Sequence, residues 1–111
     1  MSSYYESADL KKFGEIGQHA KNLADDFFRY YGNVTGTDGA LSRREKALIA
    51  LAVSHTVQCP YCIDAYSKES LQQGADLEQM TEALHVAAAI RGGASLVHGV
   101  QMRNHVKQLG M

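Results

Sequence analysis

The chain has 111 residues, of which 45% are apolar and 21% charged, with a formal net charge of −1 at neutral pH. That length fits one domain, 1–111, with a modest core. Near-neutral, mixed charge excludes the electrostatic footprint of a nucleic-acid or anionic-membrane binder, and the longest unbroken apolar run, Ala47 to Val53, is far too short to span a bilayer.

The opening residues, Met1 to Glu6, have neither the basic region nor the apolar stretch of a signal peptide. The expected compartment is the cytoplasm. Leu10, Phe13, Ile16, Ala20, Leu23, Phe27 and Tyr30 then recur every three or four residues. This is the stripe of one amphipathic helix from about Asp9 to Tyr31, with Asp9 as N-cap and Gly32 just past its end. The aromatic end, Phe27 to Tyr31, reads as core or subunit interface, since aromatics at helical spacing pack. Gly32 to Ala40 is rich in turn formers and reads as a loop.

Ser42-Arg43-Arg44-Glu45 has the pattern of a capping box, in which Ser42 and Glu45 each bind the other's backbone N–H. The helix it opens is apolar nearly all round through Val53, so it should be central. Gln58-Cys59-Pro60 ends it, and Pro60 suits the first turn of a third helix running to Gln73, with Gly74 as its stop. Asp76 caps a fourth helix from Leu77 to Arg91. Gly92-Gly93 permits a break or bend before helix resumes from Ala94 to Leu109. These two glycines are not a phosphate loop, because they follow a helix rather than a strand. No stretch reads as a strand, so the fold class is all-α.

Cys59 and Cys62 are the only cysteines, three positions apart. So short a loop restrains little of the unfolded chain, which makes the pair a redox device rather than a staple. In a reducing compartment a C-x-x-C pair is catalytic or metal-binding more than structural. N–H groups at a helix N-terminus stabilise a thiolate, which is the species that attacks peroxides and disulfides. The second thiol can then close a disulfide on a sulfenic acid. Other readings stay open on the residues alone. A zinc site would need His55, His85 or His98, or a second chain, to complete four ligands. The two cysteines could be passive core residues. A thioredoxin-like module would want the motif after a strand, and none is visible.

The order LSRREKALIALAVS at Leu41–Ser54, CPYC at Cys59–Cys62, Gly74-Ala75-Asp76 and Glu82-Ala83-Leu84 resembles the carboxymuconolactone decarboxylase superfamily. Within it the match is to the alkylhydroperoxidase D-like branch that carries C-x-x-C, over roughly Leu41 to Met102. The surroundings of Cys59 and the run from His85 to Met102 also resemble a subset found with arsenosugar biosynthesis. The resemblance implies an alkylhydroperoxidase D-like helical bundle that assembles as a homo-oligomer, trimer or hexamer. It implies a thiol peroxidase or disulfide reductase that uses no metal, haem or flavin. Such an enzyme takes a small hydroperoxide and a thiol or dithiol reductant protein. It assigns attack on peroxide to Cys62 and resolution to Cys59.

Two positions depart from that branch. The relay histidine four residues after the second cysteine is here Tyr66. A tyrosine, titrating near pH ~10, can donate a hydrogen bond but is a poor base at neutrality. The relay glutamate twelve residues before the first cysteine is here Ala47. Glu45 lies two residues earlier, about 200° away around the helix, and the capping box already accounts for it. His55, four residues before Cys59, is the candidate replacement base, because imidazole titrates near neutrality. It also suits a helix C-terminus, where positive charge is favourable. Asp64 would repel a thiolate and is expected to face solvent. His85 and His98 read as interface or core histidines, and His19 and His105 as surface positions. The alternative functions are a thiol protein that binds a metal or metalloid, since vicinal thiols hold trivalent arsenic, and lactone-type decarboxylation, which does not need the cysteine pair.

Overall fold

A computed structural model describes residues 5–110. They form a 3-10 segment, Ser7–His19, and five α-helices: α1 (Lys21–Thr35), α2 (Arg43–Thr56), α3 (Pro60–Gln72), α4 (Leu77–Val97) and α5 (Gly99–Gln108). No strand occurs among the described residues, and the all-α expectation holds.

The starts of α2, α3 and α4 lie where the capping residues put them. Ser42 Oγ accepts from the Glu45 N–H at 3.1 Å, and Glu45 returns a bond from its carboxylate to the Ser42 N–H at 2.8 Å. Asp76 and Gln79 form the same reciprocal box at the head of α4. Each box satisfies two N–H groups that a helix start otherwise leaves open, and losing its cap costs about 1 kcal/mol. Glu45 is therefore occupied structurally. At the end of α3, Gly74 takes φ +88°, the left-handed conformation that ends a helix and that glycine adopts without strain.

The first helix differs from the expectation. A single stripe over Asp9–Tyr31 becomes two elements, because Ala20 leaves helical geometry at φ −152°, ψ 58°. Asp9 lies inside the 3-10 segment, whose N-cap is Glu6. The two pieces cross tightly at Gly17, where a Cβ would come within 2.6 Å of the Ala24 Cβ. Gly32 does not end α1, which runs on to Thr35. A glycine permits a stop but does not force one.

The same holds at Gly92-Gly93, which α4 passes through unbroken. The break comes at His98. Its Nδ1 lies 2.7 Å from the Ala94 carbonyl oxygen, while its own N–H is 3.4 Å from that oxygen. The imidazole competes with the backbone for one acceptor and loosens the helix there.

The core forms where α2 packs on both α3 and α4. Leu51, Ala75 and Met80 are buried together, with Leu48, Tyr66 and Leu84 packed against them. The expectation of a central α2 is met. Ser70 is fully buried in α3 with no hydrogen-bond partner for its Oγ. An unsatisfied buried hydroxyl is costly, so Ser70→Ala should stabilise the protein by about 1 kcal/mol and raise Tm by about 4 °C. Thermal unfolding followed by circular dichroism checks this; a lower Tm would mean that the hydroxyl has a partner.

Much apolar surface stays outside this core. Val86, Ile90 and Val97 on α4 are all more than half exposed. The radius of gyration is 18.9 Å, against about 13 Å for a compact chain of this length.

Candidate functional site

The end of α2 delivers the chain to the cysteines through a tight left-handed turn. Gln58 takes φ +57°. Its N–H donates to the His55 carbonyl at 3.2 Å, and the Cys59 N–H donates to the Ser54 carbonyl at 3.0 Å. This is the six-to-one, five-to-two pattern of a left-handed helix C-cap, with glutamine where glycine is usual. The same pattern at the end of α3 uses Gly74. A Cβ in that conformation costs about 1–2 kcal/mol. The turn is braced by Arg91 of α4, whose guanidinium donates to the Thr56 carbonyl at 2.8 Å.

Cys59 closes one helix and opens the next. It is the N-cap of α3, with Pro60 in the first turn, and its Sγ accepts from the Cys62 N–H at 3.2 Å. Cys59 and Cys62 are joined as a disulfide with a Cα–Cα distance of 5.2 Å. Both residues are half-buried. The backbone N–H that caps Cys59 Sγ favours negative charge on that sulfur, which makes it a good leaving group when the disulfide is opened.

The disulfide lines a cavity of about 580 Å³. Leu10, Phe13 and Ile16 of the 3-10 segment supply one part of its wall, and Tyr61 and Ala65 of α3 another. Asp9 and Lys12 also border it, paired with each other at 3.2 Å. Tyr31 of α1 completes the lining.

The 3-10 segment is held there by Asp64, two residues past Cys62. The Tyr5 and Ser7 hydroxyls both donate to Asp64 Oδ2, and Lys68 Nζ lies 2.9 Å from Oδ1. The Tyr5 ring meets Tyr61 edge-on at 4.7 Å. Hydrogen bonding from Ser7, then Tyr5 and Lys68, holds the Asp64 carboxyl well below the usual carboxylate range. Asp64 does not face solvent as expected: its side chain is only 16% exposed. The donors that N-terminal residues bring to it turn an awkward neighbour of a thiolate into a latch.

Tyr66 and His55 both lie near the motif but not in the cavity lining. The Tyr66 hydroxyl is hydrogen-bonded to the Tyr31 hydroxyl. Burial, then the bond to Tyr31, pushes the Tyr66 phenol well above the ordinary tyrosine range. It remains protonated and cannot serve as a base. His55 is half-buried, and its Nδ1 donates to the Leu51 carbonyl at 2.8 Å. A carbonyl only accepts, so Nδ1 carries the hydrogen and Nε2 is the nitrogen left as acceptor. His55 forms no hydrogen bond with either sulfur among the described residues. The relay position Ala47 is buried in α2. No group of three or more metal-ligating side chains gathers among the described residues, so His55, His85 and His98 do not assemble around the thiols of one chain.

Tyr31 is the residue that sequence reasoning placed elsewhere. It sits at the end of an aromatic run assigned to packing, and it does pack on Phe27 at 5.7 Å. The available signal was its hydroxyl, which Phe27 and Phe28 lack.

Comparison with known proteins places most of the chain, the cysteine pair included, within one family. The carboxymuconolactone decarboxylase family model matches residues 21–102. The chain belongs to this family. The carboxymuconolactone decarboxylase family includes decarboxylases and alkylhydroperoxidase-like members. One relative is uncharacterized protein 4 in the cox locus of Paracoccus denitrificans, 47% identical over 85 residues that span 77% of this chain and 76% of the relative. An uncharacterized protein of Cupriavidus necator is 28% identical over 79% of this chain and 77% of its own length. Among solved structures, a protein from Methanobacterium thermoautotrophicum matches with TM-score 0.71 and 30% identity, covering 77% of this chain and 94% of its own. The apo form of a carboxymuconolactone decarboxylase family protein from Legionella pneumophila matches with TM-score 0.68 and 29% identity, over 85% and 84% of the two chains. The family span begins after the 3-10 segment, so the cavity wall at Leu10, Phe13 and Ile16 lies outside it. No helix among the described residues is long and apolar enough to cross a membrane.

Proposed function

We propose that this protein is a thiol peroxidase that reduces organic hydroperoxides through Cys59 and Cys62. The observation that carries the reading is the Cys59–Cys62 bridge at the head of α3, opening onto a mainly apolar cavity. In the reduced protein the Cys62 thiolate attacks the outer oxygen of the hydroperoxide. The O–O bond breaks, Cys62 becomes a sulfenic acid, and the alkoxide leaves and is protonated to an alcohol. Cys59 then attacks the Cys62 sulfur, forming the disulfide and releasing water. Two thiols and one hydroperoxide become one disulfide, one alcohol and one water. A dithiol reductant protein, of the kind a reducing cytoplasm contains, attacks the Cys62 sulfur. Cys59 leaves as the capped thiolate, and the dithiol takes over the disulfide.

The working form is proposed to be a homo-oligomer, a trimer or hexamer. A helix apolar on most of its faces belongs in an interior, yet Met80 is the buried residue of α4. Val86, Ile90, Gly93 and Val97 follow one another at helical spacing, with a glycine that lets a neighbouring helix approach closely. A second copy of this chain would cover that stripe.

The test is titration of the reduced protein with cumene hydroperoxide, followed by intact mass. Fast loss of two hydrogens per chain is expected. Oxidation no faster than that of an ordinary exposed thiol would overturn the peroxidase reading and shift weight to metalloid binding by the reduced pair.

A further inference from the structure

Thiolate attack on a hydroperoxide drives negative charge onto the departing oxygen. An alkoxide is a poor leaving group in an apolar cavity unless a proton meets it. Leu10, Phe13, Ile16 and Ala65 in the cavity wall have none to give; of the two phenols in the lining, Tyr61 packs edge-on against the Tyr5 ring, whereas Tyr31 has its hydroxyl held by a second one. Lys12 borders the cavity, but its ammonium is paired with Asp9 and its side chain is 67% exposed. Neither the histidine nor the glutamate of the related relay is present. Tyr66 and Ala47 occupy those positions.

Tyr31 stands in the lining with the two sulfurs, and its hydroxyl is bonded to that of Tyr66. Tyr66 is packed against the Leu51, Ala75 and Met80 core. With Tyr66 donating, the Tyr31 oxygen accepts that hydrogen and has its own left for a third oxygen.

We propose that Tyr31 is the proton donor to the leaving oxygen of the hydroperoxide, and that Tyr66 is the positioning residue that orients its hydroxyl. The assignment rests on the peroxidase reading above. As Cys62 Sγ takes the outer oxygen, the O–O pair goes to the inner one, which receives the Tyr31 proton and leaves as alcohol. The Tyr31 phenolate then takes the proton of the Cys59 thiol. The Cys59 thiolate forms the S–S bond and expels hydroxide from Cys62. Hydroxide combines with the proton that Cys62 released to solvent when it became a thiolate, giving water. Tyr31 ends as it began.

The leaving group separates this role from a structural one. Alkoxide from tert-butyl hydroperoxide needs a proton, whereas carboxylate from 3-chloroperbenzoic acid does not. Stopped-flow oxidation of the reduced full-length protein should show Tyr31→Phe slowed about 100-fold with the alkyl hydroperoxide and barely changed with the peracid. Tyr66→Phe should move the same ratio in the same direction by a smaller factor. Tyr30→Phe, one residue earlier and exposed, should leave both rates alone. Equal losses with both oxidants, or no loss in either variant, would overturn the assignment while wild type stays fast. Wild type slow with both oxidants would remove it together with the peroxidase reading. Tyr66→Phe carries the test should Tyr31→Phe fail to fold.

Discussion

Cys62→Ser is expected to abolish hydroperoxide reduction, with a loss on the order of 1000-fold or more. A serine hydroxyl is almost wholly protonated at neutral pH and is a far weaker nucleophile than a thiolate. Cys59→Ser should behave differently. It keeps the attacking sulfur and loses only the one that resolves it. The first equivalent of hydroperoxide should then be consumed at close to the wild-type rate, leaving one added oxygen on Cys62, trappable as sulfenic acid. Further turnover should stop. Intact mass with a sulfenic-acid trap reads both variants at once. A sulfenic acid trapped in Cys62→Ser, with none in Cys59→Ser, would exchange the two roles. That exchange has a physical route, because the Cys62 N–H lies 3.2 Å from Cys59 Sγ and favours charge there.

The second large effect is expected at Ile90, whose side chain is 69% exposed in the single chain. If copies of the chain meet over the α4 stripe, each buries this residue, worth about 1.5–3 kcal/mol per copy. Ile90→Glu replaces that gain with a carboxylate that must be desolvated without a partner, which costs several kcal/mol more. Symmetry repeats the penalty at every equivalent interface. Size-exclusion chromatography with light scattering should show wild type as a multiple of the 12.2 kDa chain. The variant should run as a smaller, less stable species. A wild type that runs as one chain and melts cooperatively would end the assembly proposal.

The parts of this fold readable from sequence share one trait: their determinants sit within a few residues of each other. The Ser42–Glu45 and Asp76–Gln79 boxes, Pro60 after Cys59, and Gly74 each act through bonds spanning three to five positions. They set the starts of α2, α3 and α4, and they put the cysteine pair at a helix head. Glycine alone misled at Gly32 and at Gly92-Gly93. It widens what the backbone can do, and the surrounding helix decides whether the option is taken. The division of the first stripe at Ala20 was invisible for the opposite reason. The apolar spacing continues across it, and the turn depends on how Gly17 meets Ala24.

The chemistry divides along the same line. The chain by itself determined that two cysteines stand three apart at a helix head with a proline between them, close enough to bridge. What faces the pair is tertiary. Tyr31 and Tyr66 are 35 positions apart and meet only because α1 packs on α2 and on the 3-10 segment, both of which also pack on α3. Tyr5 and Ser7 reach Asp64 across more than fifty positions, turning an expected solvent-facing carboxylate into the anchor of the cavity wall. Side chains so far apart come together only once the helices that carry them have packed. Local propensity encodes where those helices start, and the burial of Leu51, Ala75 and Met80 between α2, α3 and α4 decides how they lie against one another.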